Sequence, residues 1–447
     1  MNKVTSLFIR HKTFLTILGI AVIVRLFFMS FAPFKTDMDS FIAWGEHVRE
    51  VGFANFYSSG IWTDYAPGYF YFLWVVASIK GILFADASRE LYEALQKSMP
   101  LLLDLMTGLL IYLGLRRVTP SKEHSLSISV FIASLYLFSP FTFFNGAIWG
   151  QVDSVFTFFL ALSFFYLIKK KLPVACGLYV VACVIKPQAV IVAPAYLLFL
   201  LNNYSQRVFI TSALISIGTF YALCFPFFGV DSLGKLYGIL QASIDTYKYG
   251  SINTFNLWGT YGFWKPDTET FMFGLTQQMV GTYLFILAAA TGFFAFWRAM
   301  YKQTYEHKLF YFLLLCSYLV LAGVMLLTRM HERYLYPFFF YVITAFGMFL
   351  VLQRKAKTSD WLELVLKPSH IFFIFLYCVL VFIHLINLYY VYVYYQYFGV
   401  GVPLENTLFY GIESSLPMWS YLQLGLACVY VCSLPLFIKQ IRGVRHE

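Results

Sequence analysis

The chain has 447 residues, of which 60% are hydrophobic and 12% charged, and its mean hydropathy is +0.70. Repeated apolar runs of about 20 residues predict membrane helices, because only helices and closed barrels satisfy their backbone hydrogen bonds in lipid. The alternating strands of a barrel are absent, and no segment is polar and long enough to form a separate soluble domain. The net charge of +10 is explained better by basic cytoplasmic loops than by an acidic partner, and we expect no nucleic-acid partner. We predict an all-α polytopic membrane protein with a single domain over residues 1–447.

The first apolar run lies near Thr13–Phe31 and follows Lys3, Arg10 and Lys12. No cleavage-like small-residue site comes after it, so we interpret it as a retained span and not as a signal peptide. The basic residues ahead of it predict that the amino terminus is cytoplasmic. Residues 32–97 then form a large outer loop.

Within this loop, Ser40–Val51 predicts a short amphipathic helix. Its apolar positions recur at helical spacing, at Phe41, Trp44, Val48 and Val51. A helix that is too short and too charged to span is expected to lie at the membrane surface. Asp39 or Ser40 is a candidate N-cap, and Asp37 precedes the helix at the boundary between lipid and water.

The run Tyr65–Phe84 leaves two topologies open. If it spans the membrane, every later segment is inverted, and the basic clusters Arg116–Arg117 and Lys169–Lys171 face outward. If it is re-entrant or lies on the surface, these clusters face the cytoplasm. Because basic loops favour the cytoplasmic side, we prefer the second topology.

Later spans are predicted near Ser98–Leu115, His124–Phe144, Val152–Ile168, Val208–Phe228, Val280–Trp297, Leu309–Leu327, Tyr334–Leu350, Ile371–Val393 and Pro417–Phe437. The runs Leu172–Ile185 and Gln188–Leu201 are each too short to cross alone, so we predict a hairpin whose tip, Lys186, stops inside the membrane. Together these make a bundle of about 12 membrane helices with both termini cytoplasmic. Arg25 also falls inside the membrane.

Polar islands interrupt the apolar chain and share the predicted outer face. They are Thr36–Asp39, Asp64–Gly68, Trp149–Ser154, Lys186–Gln188, Ser251–Gly259 and Thr328–Tyr334. The first three are acidic, whereas Lys186, His331 and Arg333 supply basic side chains. A carboxylate that faces fixed cations suits transfer from an anionic phospholipid: the cations stabilise a phosphate leaving group, and the acid accepts the proton of the attacking hydroxyl. An unpaired lysine in an apolar hairpin costs roughly 3 kcal/mol, which also favours a functional role for Lys186.

Structural roles remain open for several of these residues. Asp39 is as consistent with helix capping as with catalysis. Asp64 precedes a proline-containing helix start and is a plausible N-cap, and Asp153 is a plausible cap for the next span. His331 and Arg333 are each also consistent with ordinary anchoring at the membrane interface.

The motifs TDMDSFIAW, DYAPGYFYFLW, WGQVDS, KPQ, NTFNLWG and HERYLYP resemble, in order and spacing, bacterial relatives of the second mannosyltransferase of glycosylphosphatidylinositol-anchor synthesis. Those proteins belong to the GT-C superfamily of polyprenyl- or dolichyl-phosphate-sugar-dependent glycosyltransferases. The resemblance covers about Asp37–Pro337 and implies a GT-C-like bundle with interfacial helices in the first outer loop. It implies that Asp37 is the general base and that His331 and Arg333 contact the lipid phosphate. The chain lacks the large inserted outer domain of protein O-mannosyltransferases, which argues against a folded-protein acceptor.

We therefore predict an inverting glycosyltransferase of the plasma membrane that moves a hexose, with mannose favoured, from a polyprenyl-phosphate carrier to a hydroxyl on a glycan, lipid or peptide at the outer face. Asp37 would deprotonate the acceptor, and Lys186, His331 and Arg333 would hold the phosphate. Residues predicted to contact sugar or acceptor, or to orient the other groups, are Asp39, Asp64, Tyr65, Trp149, Gln151, Asp153, Gln188, Asn253, Asn256, Trp258 and Glu332. Membrane lipid is a further partner. The sequence specifies no certain cofactor and leaves a divalent cation open.

Two other functions fit the composition. A transporter or flippase of lipid-linked sugars would have internal repeats with broken helices at matching positions in both halves. The sequence has one short hairpin, near Lys186, without a counterpart in the second half. A non-catalytic lipid-binding scaffold would not require Asp37.

Overall fold

A computed structural model describes residues 3–86, 88–118, 124–353, 361–398 and 407–443 and is 83% helical. Its α-helices are α1 Lys3–Met29, α2 Lys35–Val51, α3 Gly68–Leu83, α4 Arg89–Val118, α5 His124–Leu137, α6 Pro140–Phe143, α7 Asp153–Ile168, α8 Leu172–Ile185, α9 Ala193–Asn203, α10 Gln206–Phe228, α11 Ser232–Thr246, α12 Gln277–Met300, α13 Tyr305–Leu326, α14 Tyr336–Leu352, α15 Trp361–Val365, α16 Pro368–Phe398, α17 Thr407–Glu413 and α18 Leu416–Gly443. The predicted all-α polytopic fold is confirmed.

Within the described residues, eight helices are long and apolar enough to cross a membrane. They are His11–Met29, Arg89–Val118, Gln206–Thr246, Gln277–Met300, Tyr305–Leu326, Glu332–Leu352, Pro368–Gln396 and Leu416–Ile441. Leu126–Leu137 and Pro140–Trp149 form one further, broken segment, bent by 47°. The shorter apolar helices are Gly68–Leu83, Asp153–Ile168, Leu172–Ile185 and Pro187–Asn203. Each of these segments overlaps a predicted one, and α3 lies within the run Tyr65–Phe84 that we preferred as a re-entrant or surface helix.

The helices α13 and α14 form the centre of the bundle. The apolar windows of Tyr305–Leu326 and Glu332–Leu352 are 89% and 94% buried, whereas that of Gln206–Thr246 is 11% buried. A helix that is apolar all round and buried by its neighbours belongs to the core, and one that stays exposed faces lipid. The segment that carries His331 and Arg333 therefore connects the two most buried helices.

The segment between α1 and α4 folds as α2 and α3, which pack against each other. Helix α2 begins at Lys35, earlier than the predicted start at Ser40, and its N-cap is Phe34 with no side-chain hydrogen bond. Asp39 and Ser40 thus lie inside the helix, and their predicted capping role is wrong. The predicted apolar face is buried, with Phe41, Trp44 and Val48 at most 4% exposed, but it is covered by α3 and the preceding turn and not by lipid: aromatic contacts join Phe41 and Trp44 to Tyr65, Tyr69 and Phe70.

Two other predicted caps are also wrong. Helix α3 begins at Gly68 with Pro67 as its N-cap, so Asp64 lies upstream of the helix. Asp153 is the first residue of α7, where Val152 is the N-cap, and no side chain caps the helix. An acid in a first turn is still favourable, because it interacts with the positive end of the helix dipole. Neither carboxylate caps a helix, so both are available for other contacts.

Short strands bring two polar islands together, which local sequence patterns did not predict. The strand β1 Ser251–Ile252 pairs in parallel with β4 Met330–His331, and Asn253 forms a further bridge to His331. The other strands, β2 Thr270–Met272 and β3 Leu275–Thr276, pair antiparallel and precede α12. The β1–β4 pairing fixes the backbone of His331 against the 251–259 island.

Candidate active site

Asp37 lies in the first turn of α2, and its carboxylate is held through one oxygen. Trp149 Nε1 donates to Oδ2 at 2.7 Å, and Gln151 Nε2 donates to the same oxygen. Gln151 Oε1 in turn accepts from the Val152 amide at 3.0 Å, so the orientation of the amide group is fixed. Asp37 Oδ1 accepts no hydrogen bond from any residue within the described ranges. Trp149 and Gln151 therefore hold the Asp37 carboxylate in one orientation. The sequence left two roles open for them, contact with sugar or acceptor and orientation of other groups, and this contact is of the second kind.

The backbone that follows α6 positions the side chains of Trp149 and Gln151 beside Asp37. Residues Phe144–Trp149 form one π-helical stretch, a type of turn that is frequent at functional sites. Gly150 ends it with φ +85°, and a Cβ at this position would come within 2.7 Å of Met38 Cε. The positive φ favours glycine here, because the flexible end of Met38 could move away from a Cβ whereas the backbone conformation could not change.

Asp39 points away from Asp37 and toward the exposed surface. Its side chain, 43% exposed, forms ion pairs with Lys35 at 2.6 Å and with Arg89 at the start of α4. Exposed pairs of this kind contribute about 0–1 kcal/mol. Asp39 therefore links α2 to α4 and does not face the same groups as Asp37.

Lys186 is buried and paired, and not unpaired as its position in an apolar hairpin indicated. Its ammonium group forms a hydrogen-bonded ion pair with Asp153 Oδ1 and lies 5.2 Å from the centre of the Tyr334 ring. Asp153 Oδ2 accepts from Asn145 Nδ2 at 3.1 Å. Both partners of the pair are at most 5% exposed, so the pair fixes the tip of the α8 hairpin against α7.

Lys186, His331 and Arg333 line one cavity of about 40 Å³, as the shared phosphate contact predicted from sequence requires. Its other lining residues are Asp64, Tyr65, Ala66, Ile185, Pro187, Gln188, Ser243 and Tyr334. The cavity adjoins a wider cleft of about 370 Å³, which shares Asp64, Gln188 and His331 with it. Sequence patterns missed Ser243, Tyr247 and Gln278 on the cleft walls, because nothing local marks them.

Asp37 does not line either of these two cavities, but it lies within electrostatic reach of their groups. Its charge acts on Asp64, on Arg333 and on Glu332. Arg333 is paired with Glu332 at 3.0 Å, interacts electrostatically with Asp37 and lines the smaller cavity. The site therefore combines an acid whose Oδ1 has no partner among the described residues with a guanidinium on the cavity wall.

Arg333 and His331 both line the cavity, but Arg333 is charged and His331 is neutral. Arg333 Nη1 donates to Glu332 Oε1 at 3.0 Å and lies 3.5 Å from His331 Nδ1. Burial lowers the pKa of His331 well below its usual range, and the charges of Arg333 and Lys186 lower it further. His331 is therefore neutral, and because guanidinium only donates, Nδ1 accepts and Nε2 carries the proton.

Asp64 is a second acid on the cavity wall. Burial raises the pKa of its carboxyl, and the charge of Asp37 raises it too, whereas a backbone hydrogen bond and the charges of Arg333 and Lys186 lower it. The net direction is upward because loss of hydration is the largest contribution. Asp64 thus holds its proton more tightly than an exposed aspartate.

Several buried polar atoms around the cavity have no hydrogen-bond partner among the described residues. They are Gln188 Oε1, Glu332 Oε2 and Arg333 Nε. A buried donor without an acceptor costs about 1–3 kcal/mol, and a bound anion would relieve that cost at Arg333. These atoms favour a ligand in this cavity.

Asn253, Asn256 and Trp258 have structural partners. Asn256 Oδ1 accepts from the amides of Trp258 and Gly259, and its Nδ2 donates to the Val324 carbonyl. Trp258 is 1% exposed and donates to the Leu326 carbonyl at 2.8 Å. We therefore do not retain Asn256 and Trp258 as sugar-binding candidates.

Asn253 is held in the left-handed region with φ +62°, and its Oδ1 accepts from Trp264 Nε1 at 2.8 Å. Its carbonyl accepts from Asn387 on α16 at 2.6 Å. The neighbouring loop is fixed by Asp267, which is buried and accepts from both Thr328 and Arg329. Asn387 and Asp267 were missed because their partners are distant in sequence.

The acidic side chains that the structure describes do not assemble a metal site. Within the described ranges, no group of three or more His, Cys, Asp or Glu side chains is placed to hold a metal ion. Asp153 is committed to Lys186, and Oδ2 of Asp37 is committed to Trp149 and Gln151. We derive no step through the divalent cation that the sequence left open.

The fold defines a polytopic helical membrane protein, with a cavity lined by acidic and basic side chains. The sequence model of glycosyltransferase family 87 matches residues 62–328. This is more than half of the chain, and the protein belongs to that family, a family of membrane glycosyltransferases. The match includes Asp64, Asp153 and Lys186, whereas Asp37 and Arg333 lie outside it. No curated protein matches the chain.

Proposed function

We propose that this membrane glycosyltransferase is an inverting enzyme of GT-C type that transfers a hexose from a polyprenyl-phosphate carrier to a hydroxyl acceptor. We further propose mannose as the hexose, the plasma membrane as the location, and the outer face as the side of the reaction. The relation to the second mannosyltransferase of glycosylphosphatidylinositol synthesis belongs to this proposal. It rests on the motif order given above.

One observation carries the choice of a lipid-linked donor. An apolar groove of about 440 Å³ between α8, α10 and α11 shares Pro187 with the polar cavity and Leu240 with the wider cleft. Its walls include Val184, Phe220 and Leu236. A donor with a phosphate head and a hydrocarbon chain fits this continuity, because the head would meet Lys186 and Arg333 while the chain stays among apolar side chains.

The reaction we propose is a single displacement. Asp37 Oδ1 takes the proton of the acceptor hydroxyl, and the acceptor oxygen attacks the anomeric carbon of the sugar. The bond from that carbon to the phosphate oxygen breaks, and polyprenyl phosphate leaves with the electron pair. Arg333 and Lys186 stabilise its charge, and His331 donates a neutral hydrogen bond through Nε2. Because Lys186 and Arg333 each keep a carboxylate partner, they act as oriented donors whose positions are fixed before the donor arrives.

Purified protein in lipid nanodiscs provides the test. It should be incubated with polyprenyl-phosphate hexoses labelled in the sugar, together with a membrane glycolipid extract as acceptor, while release of polyprenyl phosphate is followed. We expect release and transfer with the mannose donor, and loss of both in Arg333→Gln. Transfer from a soluble nucleotide sugar, with none from any lipid-linked hexose, would contradict the proposal.

A further inference from the structure

A second charged pair lies outside the cavity, buried among the membrane helices. Arg25 on α1 and Asp104 on α4 are each 1% exposed, and Arg25 Nε and Nη2 lie 2.8 and 2.6 Å from Asp104 Oδ2. Charges inside a bilayer are costly and are generally found where function requires them. What the pair does therefore depends on the other groups that it contacts.

Arg25 completes the hydrogen bonding of a broken helix. Helix α5 ends at Leu137 and α6 begins at Pro140, a residue without an N–H, and the two segments are bent by 47°. Arg25 Nη2 donates to the Leu137 carbonyl at 2.9 Å and to Thr142 Oγ1 at 3.0 Å. The guanidinium thus bonds both sides of the break and fixes the direction in which α6 leaves it.

Asp104 bonds the start of the most buried helix. Its Oδ1 accepts from the Tyr336 hydroxyl at 3.0 Å. Tyr336 is the first residue of α14 and follows directly after the turn Glu332–Leu335, which contains Arg333. The Asp104 carboxylate therefore contacts Arg25 through Oδ2 and the start of α14 through Oδ1.

We propose that these residues are positioning residues that hold the two halves of the candidate active site in register. We call them the buried network: Arg25, Asp104, Thr142 and Tyr336. The proposal rests on the function proposed above, because it requires that Asp37 and Arg333 act on the same substrate. It goes beyond that function by assigning a role to side chains that do not touch the cavity.

The order of the segments along the chain links the buried network to both halves of the candidate active site. Helix α1 leads from Arg25 into α2, which carries Asp37. Helix α6 leads from the break into Phe144–Trp149 and Gln151, which hold the Asp37 carboxylate. The third segment is the start of α14, one turn beyond Arg333. A displacement of about 1 Å between reacting groups can cost roughly 100-fold in rate, so bonds among these three segments bear directly on turnover.

Tyr336→Phe tests the network with the loss of one hydroxyl. Tyr430→Phe is the matched control, because Tyr430 is also buried and its hydroxyl bonds a serine, Ser317, on a neighbouring helix outside the network. We expect kcat of Tyr336→Phe to fall about tenfold or more with KM for the donor unchanged, and Tyr430→Phe to keep the parental kcat. If the two variants lose thermal stability alike and both keep parental turnover, the network only supports packing and the proposal is wrong.

Hydrogen–deuterium exchange of the same proteins gives a readout that does not depend on activity. Peptides that cover Phe144–Gln151 and Glu332–Leu335 should exchange faster in Tyr336→Phe and at the parental rate in Tyr430→Phe. A parental protein that transfers no sugar would overturn the proposed function, whereas these exchange rates would still test the network. Unchanged exchange of both peptides in Tyr336→Phe would contradict the network by itself.

Discussion

Trp149 and Gln151 each donate an N–H to the same oxygen of Asp37. The proposed role of Asp37 depends on this asymmetric contact. A carboxylate that is held through Oδ2 keeps Oδ1 in a fixed direction. General bases must lie within hydrogen-bond reach of the proton they remove, so a fixed oxygen without a partner among the described residues suits that role. Asp39, which is paired with Lys35 and Arg89 at the surface, has neither property.

The burial of His331 leads to a prediction about how the stability of the protein depends on pH. Because burial lowers its pKa in the folded protein, the unfolded chain takes up a proton below about pH 6.5 that the folded chain does not. The free energy of unfolding therefore falls as pH drops through that range. In His331→Gln this contribution is absent. The decrease in Tm between pH 7.5 and 5.5 should be smaller in the variant than in the parental protein, and equal decreases would show that His331 is not buried in its neutral form.

At the scale of elements, the site depends on how closely α3 approaches the α8 hairpin. Gly68, the first residue of α3, lies against the end of α8, where an added Cβ would come within 2.6 Å of the Ile185 amide nitrogen. The neighbouring atoms belong to backbone and cannot rotate away. The next residue after Ile185 is Lys186, so this contact lies directly beside the lysine that lines the cavity.

Gly68→Ala should therefore destabilise the protein by about 1–3 kcal/mol, through overpacking against α8. Gly218→Ala in α10 is the matched control, because nothing lies within 4 Å of an added Cβ there, and alanine favours the helix by about 0.5–1 kcal/mol. Thermal unfolding in detergent compares the two. A Gly68→Ala protein as stable as the control would show that α3 and α8 do not pack as closely as described.

Sequence patterns predicted helices well where a helix depends only on the length and polarity of one continuous segment. Apolar length located most of the membrane segments, and the hairpin at Lys186 followed from two runs too short to span. Helix starts were predicted less well: Asp39, Asp64 and Asp153 have the residue type of caps, yet Asp39 and Asp153 form ion pairs and Asp64 lines the cavity. The ion pair of Asp153 with Lys186 and the pairing of β1 with β4 join residues distant in sequence, and no periodicity encodes such contacts.

At the scale of the whole molecule, the two kinds of broken segment both lie in the first half of the described chain. They are the bent pair Leu126–Leu137 and Pro140–Trp149, and the hairpin around Lys186. A transporter built from repeats would show matching breaks in the second half. Membership of glycosyltransferase family 87 and this one-sided arrangement both favour a transferase over a flippase.

The predicted orientation of the bundle has a direct test in intact cells. Single cysteines are introduced at Ser58, in the first outer loop, and at Lys170, between α7 and α8, in a background that lacks the seven native cysteines. Because basic loops favour the cytoplasm, an impermeant maleimide should label Ser58→Cys from outside and Lys170→Cys only after permeabilisation. Labelling of Lys170→Cys in intact cells would invert the topology and place the cavity on the other side.

The central claim is that Asp37 is the general base, and sugar transfer by Asp37→Asn tests it most directly. Asparagine keeps the size of the side chain and an oxygen for Trp149 and Gln151 to bond, so thermal unfolding should stay close to that of the parental protein. Transfer from labelled polyprenyl-phosphate hexose should fall on the order of 100- to 10,000-fold, whereas the matched variant Asp39→Asn, which loses only exposed ion pairs, should keep most of its activity. Transfer by folded Asp37→Asn at near the parental rate would contradict the assignment of Asp37 and, with it, the mechanism proposed for this protein.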